Sequence, residues 1–158
     1  MKNIYLIGMP GSGKTTVSKI LAKKLNMSLA DTDSIIESKY GSIPDIFKTQ
    51  GEQYFRNLET ETLKEIKENT VVSTGGGIVK TDANREAMSK GVVVFIDTPP
   101  EVLKTRSLFV NRPLLKSSSD IEKLYNERYH LYKAWADVTV NGDKSPMLLA
   151  EEIAKSIR

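Results

Sequence analysis

The chain reads as an α/β protein in three layers, a parallel sheet with helices on both faces, and three observations predict it. Short apolar runs alternate with helical patterns along all 158 residues. Residues 92–96 are apolar without alternation, as in a strand covered on both sides. Residues 3–7 form an apolar, strand-like run that leads into a glycine-rich loop and then into a helix whose Val17, Ile20, Leu21 and Leu25 share one face.

Taken in order, the elements follow from local pattern. Residues 3–7 are the first strand, and the first helix covers 14–25. Residues 28–30 form a brief second strand ending in Asp31-Thr32-Asp33. Three helical pieces then run over 33–40, 43–50 and 52–68, punctuated by Gly41, Pro44 and Gly51, and read as an inserted substrate-binding lobe of about 33–60. Residues 71–74 are the third strand, followed by Gly75-Gly76-Gly77 and a helix over 82–90. The fourth strand at 92–96 turns into a helix over 99–107. Residues 108–119 have no clean period and contain Asn111, Arg112, Pro113 and three serines, so a mobile lid of about 107–119 is expected. A helix over 121–135, a last strand over 137–141 and a closing helix over 146–157 complete the chain, which is expected to be a single domain, 1–158.

Composition narrows the chemistry. The chain has no cysteine, which excludes disulfides and thiolate metal sites and fits a reducing compartment. No run reaches the roughly 18 apolar residues of a membrane span, and the first ten residues hold an apolar stretch shorter than a secretory signal core, so a cytoplasmic location is expected. The net charge of +3 is spread along the chain rather than gathered in a basic block, which points to anionic small molecules rather than nucleic acid. No long exposed apolar stripe calls for an obligate oligomer, so a monomer is the default.

The chemistry itself is announced by Gly8-Met9-Pro10-Gly11-Ser12-Gly13-Lys14-Thr15-Thr16, which fits the pattern G-x-x-x-x-G-K-[ST] between a strand and a helix. In such a loop the backbone N–H groups wrap nucleoside-triphosphate phosphates, Lys14 reaches the β and γ phosphates, and the Thr15 hydroxyl ligates Mg²⁺. The helix dipole aims at the same anion. ATP and Mg²⁺ are therefore the expected cofactors, with Gly11, Ser12, Gly13, Lys14, Thr15 and Thr16 around the phosphates.

Asp31 and Asp33 are two residues apart and leave the same face if the strand persists through both. Asp31 is then assigned to Mg²⁺, through water, and Asp33 to the acceptor hydroxyl as positioning group or proton acceptor. One of the two, Asp33 above all, can instead be the N-cap of the following helix. Arg56 and Glu59 stand at i and i+3, a spacing that by itself usually means a solvated ion pair. Phe47, one segment earlier, can line the same pocket. Gly75, Gly76 and Gly77 can offer backbone N–H groups to a substrate, or simply turn the chain. Arg112 can be brought over the γ-phosphate as a lid closes, or be an ordinary surface arginine. Arg128 has the same two readings. Two convergent arginines favour a carboxylated acceptor. His130, the sole histidine, has no partners for a metal site and reads as surface or structural, and Trp135 and the tyrosines read as packing groups.

With these residues in view, the chain resembles the shikimate kinases, a family of phosphate-loop folds related to nucleoside-monophosphate kinases. The resemblance rests on the phosphate loop, Asp31-Thr32-Asp33, residues 42–47, Gly51 to Glu59 with Phe55-Arg56, Ser73-Thr74-Gly75-Gly76-Gly77, Arg112-Pro113-Leu114-Leu115, and Arg128 with Tyr132. It implies a five-stranded parallel sheet of order 2-3-1-4-5 and transfer of the ATP γ-phosphoryl to the 3-hydroxyl of shikimate, giving shikimate 3-phosphate and ADP on the route to chorismate and the aromatic amino acids. It further implies that Asp33 meets the ring hydroxyls, that Arg56 and Arg128 grip the substrate carboxylate, that Gly76 meets a hydroxyl, and that Arg112 belongs to the lid. Arg106 is expected over the adenine. Lys144 stands where the family carries an arginine near the nucleotide, keeping the charge without the flat stacking surface. Two rivals remain at this level. One is another small-molecule kinase of this fold, for gluconate or a nucleotide; the other is a nucleotide-dependent switch or a relative without catalysis.

Overall fold

The computed structural model describes residues 2–106 and 118–157. Its centre is a five-stranded, wholly parallel sheet of order β2-β3-β1-β4-β5. The strands are β1 (Ile4–Ile7), β2 (Ser28–Asp31), β3 (Thr70–Ser73), β4 (Val92–Asp97) and β5 (Val138–Asn141). The helices are α1 (Lys14–Leu25), α2 (Thr32–Tyr40), α3 (Ile43–Gln50), α4 (Glu52–Glu65), α5 (Asp82–Met88), α6 (Pro100–Leu103), α7 (Ser118–Trp135) and α8 (Pro146–Ser156).

The unbroken apolar character of the strands has a direct structural use. In β1, Ile4 and Leu6 face one side, packing with Val17, Leu21, Leu149 and Ile153 of α1 and α8. Tyr5 and Ile7 face the other, with Phe95, Met88, Tyr132 and Trp135. β1 lies between β3 and β4, with Ile4 opposite both Val71 and Val92. Alternation cannot appear in a strand whose two faces are both dry. A third cluster, Ile36, Ile43, Ile46, Phe55 and Leu58, lies apart from the sheet and joins α2, α3 and α4. Helix α3 is delimited in sequence terms by Ser42, whose hydroxyl caps the Asp45 N–H, and by Pro44 in the first turn.

Several expectations are corrected. Asp31 and Asp33 do not share a strand face: β2 ends at Asp31, which becomes the N-cap of α2 and accepts from Ser34 N at 3.0 Å. Capping satisfies an otherwise orphaned N–H and turns Asp33 into the first helical turn. The N-cap is thus Asp31 rather than Asp33. Helix α4 stops at Glu65 because the chain must reverse into β3, which it does through Asn69 at φ 61°. The helix expected over 99–107 is reduced to Pro100–Leu103. A 3₁₀ turn, Ile78–Lys80, follows the glycines unannounced. Helix α7 begins at Ser118, inside the span expected for the lid, and residues 107–117 lie outside the described residues.

Asn84 of α5 is fully buried and ties three elements: its Nδ2 donates to Ile78 O at 2.9 Å and its Oδ1 accepts from Thr60 Oγ1 at 2.7 Å. Replacing it by leucine strands the Ile78 carbonyl, on a buried residue, and leaves the half-buried Thr60 hydroxyl with Arg56 O as its acceptor. We expect Asn84→Leu to lower unfolding free energy by about 2 to 3 kcal/mol in urea titrations, and a change within error would show that water reaches this site.

Candidate active site

Strand β1 delivers the phosphate loop to the carboxyl edge of the sheet, where ligands of open parallel sheets bind. Gly13, at φ 99°, occupies the N-cap of α1 in a left-handed conformation that a side chain would strain. It supplies no side-chain cap, and the first turn of α1 holds no acidic residue. The leading N–H groups of α1 are therefore left for an anion. Two contacts hold the loop from outside: Thr98 Oγ1 donates to Ser12 O at 3.3 Å, and Arg106 Nη1 donates to Gly11 O at 2.5 Å. Lys14 is buried and folds back over the loop, donating to Gly8 O and Met9 O at 2.8 Å each. Thr15 Oγ1 donates to Asp31 Oδ2 at 3.1 Å, so the two oxygens named for a metal stand side by side. Among the described residues no group of three or more His, Cys, Asp or Glu could cage a metal.

On the opposite wall, α4 presents Arg56 and Glu59. The i, i+3 spacing does not give a solvated pair here. Arg56 is 6% exposed and Glu59 fully buried, with Nη1 donating to Glu59 Oε1 at 2.8 Å. Glu52, one turn earlier, accepts from Arg56 Nε and Nη2 at 3.2 Å each. Gly77 packs flat against this guanidinium, leaving no room for a Cβ. Arg128 of α7 is buried at the same wall, and Tyr132 one turn later donates to Gly76 O at 2.5 Å. Of the three glycine amides, that of Gly75 is already used, donating to Thr32 Oγ1 at 3.0 Å. Asp33 and Glu59 approach from α2 and α4: their oxygens lie 2.7 and 2.8 Å from where a Gly75 Cβ would stand.

Electrostatics follow from this packing. Glu59 is pushed from 4.5 up to about 7, chiefly by burial. The Arg56 charge opposes the shift, Asp33 adds to it, and Arg128 opposes it. Burial likewise raises the Tyr132 phenol, which stays a hydrogen-bond donor.

One cleft of about 530 Å³ takes in both walls. Gly11, Ser12, Gly13, Lys14, Thr15, Thr16, Asp31, Asp33, Arg56, Gly75, Gly76, Gly77, Arg106, Arg128 and Lys144 all line it. Arg112 lies outside the described residues. Phe47 and Phe55 form an apolar side, with ring centroids 5.2 Å apart. Lys144 Nζ is paired with Glu152 Oε1 at 2.5 Å, and His130 is exposed. Sequence reasoning missed the burial of Glu59 and the use of Tyr132 as a strut for the glycine turn. The spacing of Glu59 from Arg56 was a signal for contact, but nothing local in sequence tells a buried pair from a wet one.

A phosphate loop at the edge of a parallel sheet, facing buried arginines and an aspartate across a single cleft, defines a phosphate-loop kinase for a small acceptor. A sequence profile described as shikimate kinase matches residues 10–158. A shikimate kinase of Clostridium botulinum (strain Eklund 17B / Type B) is 46% identical over 158 residues, covering 96% of this chain and 95% of that protein. Among solved structures, shikimate kinase from Acinetobacter baumannii in complex with shikimate superposes with a TM-score of 0.94 at 37% identity, covering 99% of this chain and 93% of the other. The crystal structure of shikimate kinase from Aquifex aeolicus gives 0.87 at 43% identity, covering 98% and 95%. This chain belongs to the shikimate kinase family.

The raised Glu59 carboxyl has a consequence for stability. Between pH 4.5 and about 7 the native state holds a proton that the unfolded chain has released, so this group's contribution is intact below 4.5 and is lost as pH rises towards 7. We expect Glu59→Gln, which cannot ionise, to remove that decline from a series of urea unfolding curves. An identical pH slope in the variant would place the titrating group elsewhere.

Proposed function

We propose that the chain transfers the γ-phosphoryl group of ATP to the 3-hydroxyl of shikimate, forming shikimate 3-phosphate and ADP in the supply of chorismate and aromatic amino acids. The observation that carries this reading is the single cleft lined by both the phosphate loop and the set Asp33, Arg56 and Arg128. A neutral acceptor has no use for two buried guanidinium groups, whereas a hydroxylated ring acid uses all three residues, its carboxylate on the arginine forks and its hydroxyls on the aspartate; a phosphate-bearing acceptor would use the forks too and is tested against it below.

In this reading Lys14 leaves the Gly8 and Met9 carbonyls for the β and γ phosphates, and the N–H groups of residues 11–16 surround the same oxygens. Thr15 and Asp31 fit Mg²⁺, being hard oxygen donors held 3.1 Å apart, and the absence of a carboxylate cage among the described residues suits an ion that keeps waters and phosphate oxygens as ligands. Bound there, Mg²⁺ supplies charge neutralisation to the phosphoryl oxygens. Arg56 and Arg128 fix the acceptor carboxylate, which leaves the ring hydroxyls facing Asp33 and the Gly76 turn. Asp33 orients the attacking hydroxyl and takes its proton as the new oxygen–phosphorus bond forms and the bond to the ADP oxygen breaks. Arg106 and Lys144 border the nucleotide side, and Arg112 is assigned to charge stabilisation at the γ-phosphate. Helices α2 to α4 serve as the acceptor-binding lobe, and residues 107–119 as the lid. Because one chain supplies every assigned residue, a monomer acting in the cytoplasm is the proposed active unit.

ADP release measured with shikimate, quinate, gluconate and AMP tests the assignment. Turnover with shikimate is expected, and turnover with gluconate or AMP without shikimate would overturn it. Asp33→Asn is expected to lower kcat strongly while ATP binding is retained; an unchanged kcat would remove Asp33 from its role. Arg128→Ala is expected to weaken acceptor binding by about 1.5 to 3 kcal/mol, the worth of a charge-assisted partner, as read by calorimetry.

A further inference from the structure

Arg56 is held by more negative charge than positive. Its Nη1 meets Glu59, and its Nε and Nη2 both meet Oε2 of Glu52. With both carboxyls ionised this trio carries one excess negative charge where an acceptor carboxylate must dock, and the raised Glu59 carboxyl makes that excess partial near neutral pH. The same Glu52 oxygen accepts a third hydrogen bond, from Lys80 Nζ at 2.5 Å, shorter than either contact with Arg56. Lys80 offsets that excess. Its hydrogen bond is the largest influence holding the Glu52 carboxyl below its ordinary range.

Lys80 and Glu52 are absent from the main cleft. They line a separate depression of about 330 Å³ that meets the cleft at Leu124 and Arg128. Lys80 is delivered there by the 3₁₀ turn: its N–H donates to Gly77 O at 3.0 Å, and Gly77 is the residue packed against the Arg56 guanidinium. One short turn thus seats the guanidinium through Gly77 and engages the guanidinium's counter-ion through Lys80.

We propose that Lys80 is a positioning residue that sets acceptor affinity from beside the cleft, by sharing the Glu52 carboxylate with Arg56 and so weakening its hold on N–H donors that the acceptor carboxylate needs. Without Lys80, Arg56 is the ion-pair partner that Glu52 keeps among the described residues, and Glu52 competes with the acceptor for the same fork of N–H groups. Glu52 and Lys80 are each more than one-third exposed, so the effect is graded rather than absolute.

The proposal rests on reading the acceptor as carboxylated, and the test separates the two. Steady-state kinetics are measured on the full chain as Lys80→Met, Lys80→Arg, Glu52→Gln and the double variant Lys80→Met/Glu52→Gln, with shikimate and ATP varied separately. The Arg56 Nε–H resonance is followed by NMR in the substrate-free proteins. Lys80→Met is expected to raise the shikimate KM by about three- to fivefold, the size of a lost half-exposed pair, while kcat and the ATP KM hold. Lys80→Arg restores the KM. In the Glu52→Gln background Lys80→Met has no further effect, because the competitor is gone. The Nε–H signal shifts in Lys80→Met and moves back in the double variant. An unchanged KM, an equal rise in the Glu52→Gln background, or an unmoved Nε–H signal would overturn the proposal. If the unsubstituted chain turns over no shikimate, the functional assignment fails, and the Nε–H series by itself decides whether Lys80 positions Arg56.

Discussion

The burial of Arg56 against Glu59 is the interaction around which the acceptor side of this molecule is arranged. Taking both charges out of water costs several kcal/mol per ion, and a hydrophobic pair of the same volume would in many cases be no less stable. The cost is tolerated because a guanidinium already stripped of water, and already fixed in angle, binds a carboxylate without paying those terms at the moment of binding. Much of the surrounding structure reads as support for this one group. Gly77 gives it a flat seat, and Tyr132 pins the neighbouring glycine turn through Gly76 O. The aliphatic and aromatic cluster of α2, α3 and α4 holds the helix that carries it.

The nucleotide side uses the opposite strategy, in which polar groups are left available instead of being satisfied. Helix α1 starts at a glycine that has no side chain to cap it, and its first turn has no carboxylate to compete with an anion for its leading N–H groups. Lys14 occupies the mouth of the loop by hydrogen bonding to Gly8 O and Met9 O. Its charge is thereby stored on backbone carbonyls of the same loop, a short swing from the phosphates it is proposed to meet. The two sides share the carboxyl edge of the sheet because β1 lies at its centre, with β3 and the glycine turn on one flank and β4 on the other.

Much of this was legible before folding. The continuous apolar strands, the punctuation at Gly41, Pro44 and Gly51 and the phosphate loop are local signals, and the elements formed close to where those signals lie. The errors have physical reasons. Asp31 and Asp33 separate because a capping bond to Ser34 N outweighs one more residue of strand. The 3₁₀ turn at Ile78–Lys80 is made by tertiary contacts such as that of Asn84 with Ile78 O, which no local pattern encodes.

The sequence by itself determined the order of elements and the chemistry of the triphosphate loop, since each depends on residues within a few positions of one another, and the alternation of strands with helices predicted the parallel sheet. Only the tertiary structure decided that Arg56, Glu59 and Arg128 lose their water, and that Lys80 and Glu52 lie behind them. Burial and charge balance are sums over side chains from α2, α4, α7 and the glycine turn, which are far apart along the chain, and a sum of that kind exists only once the elements have packed.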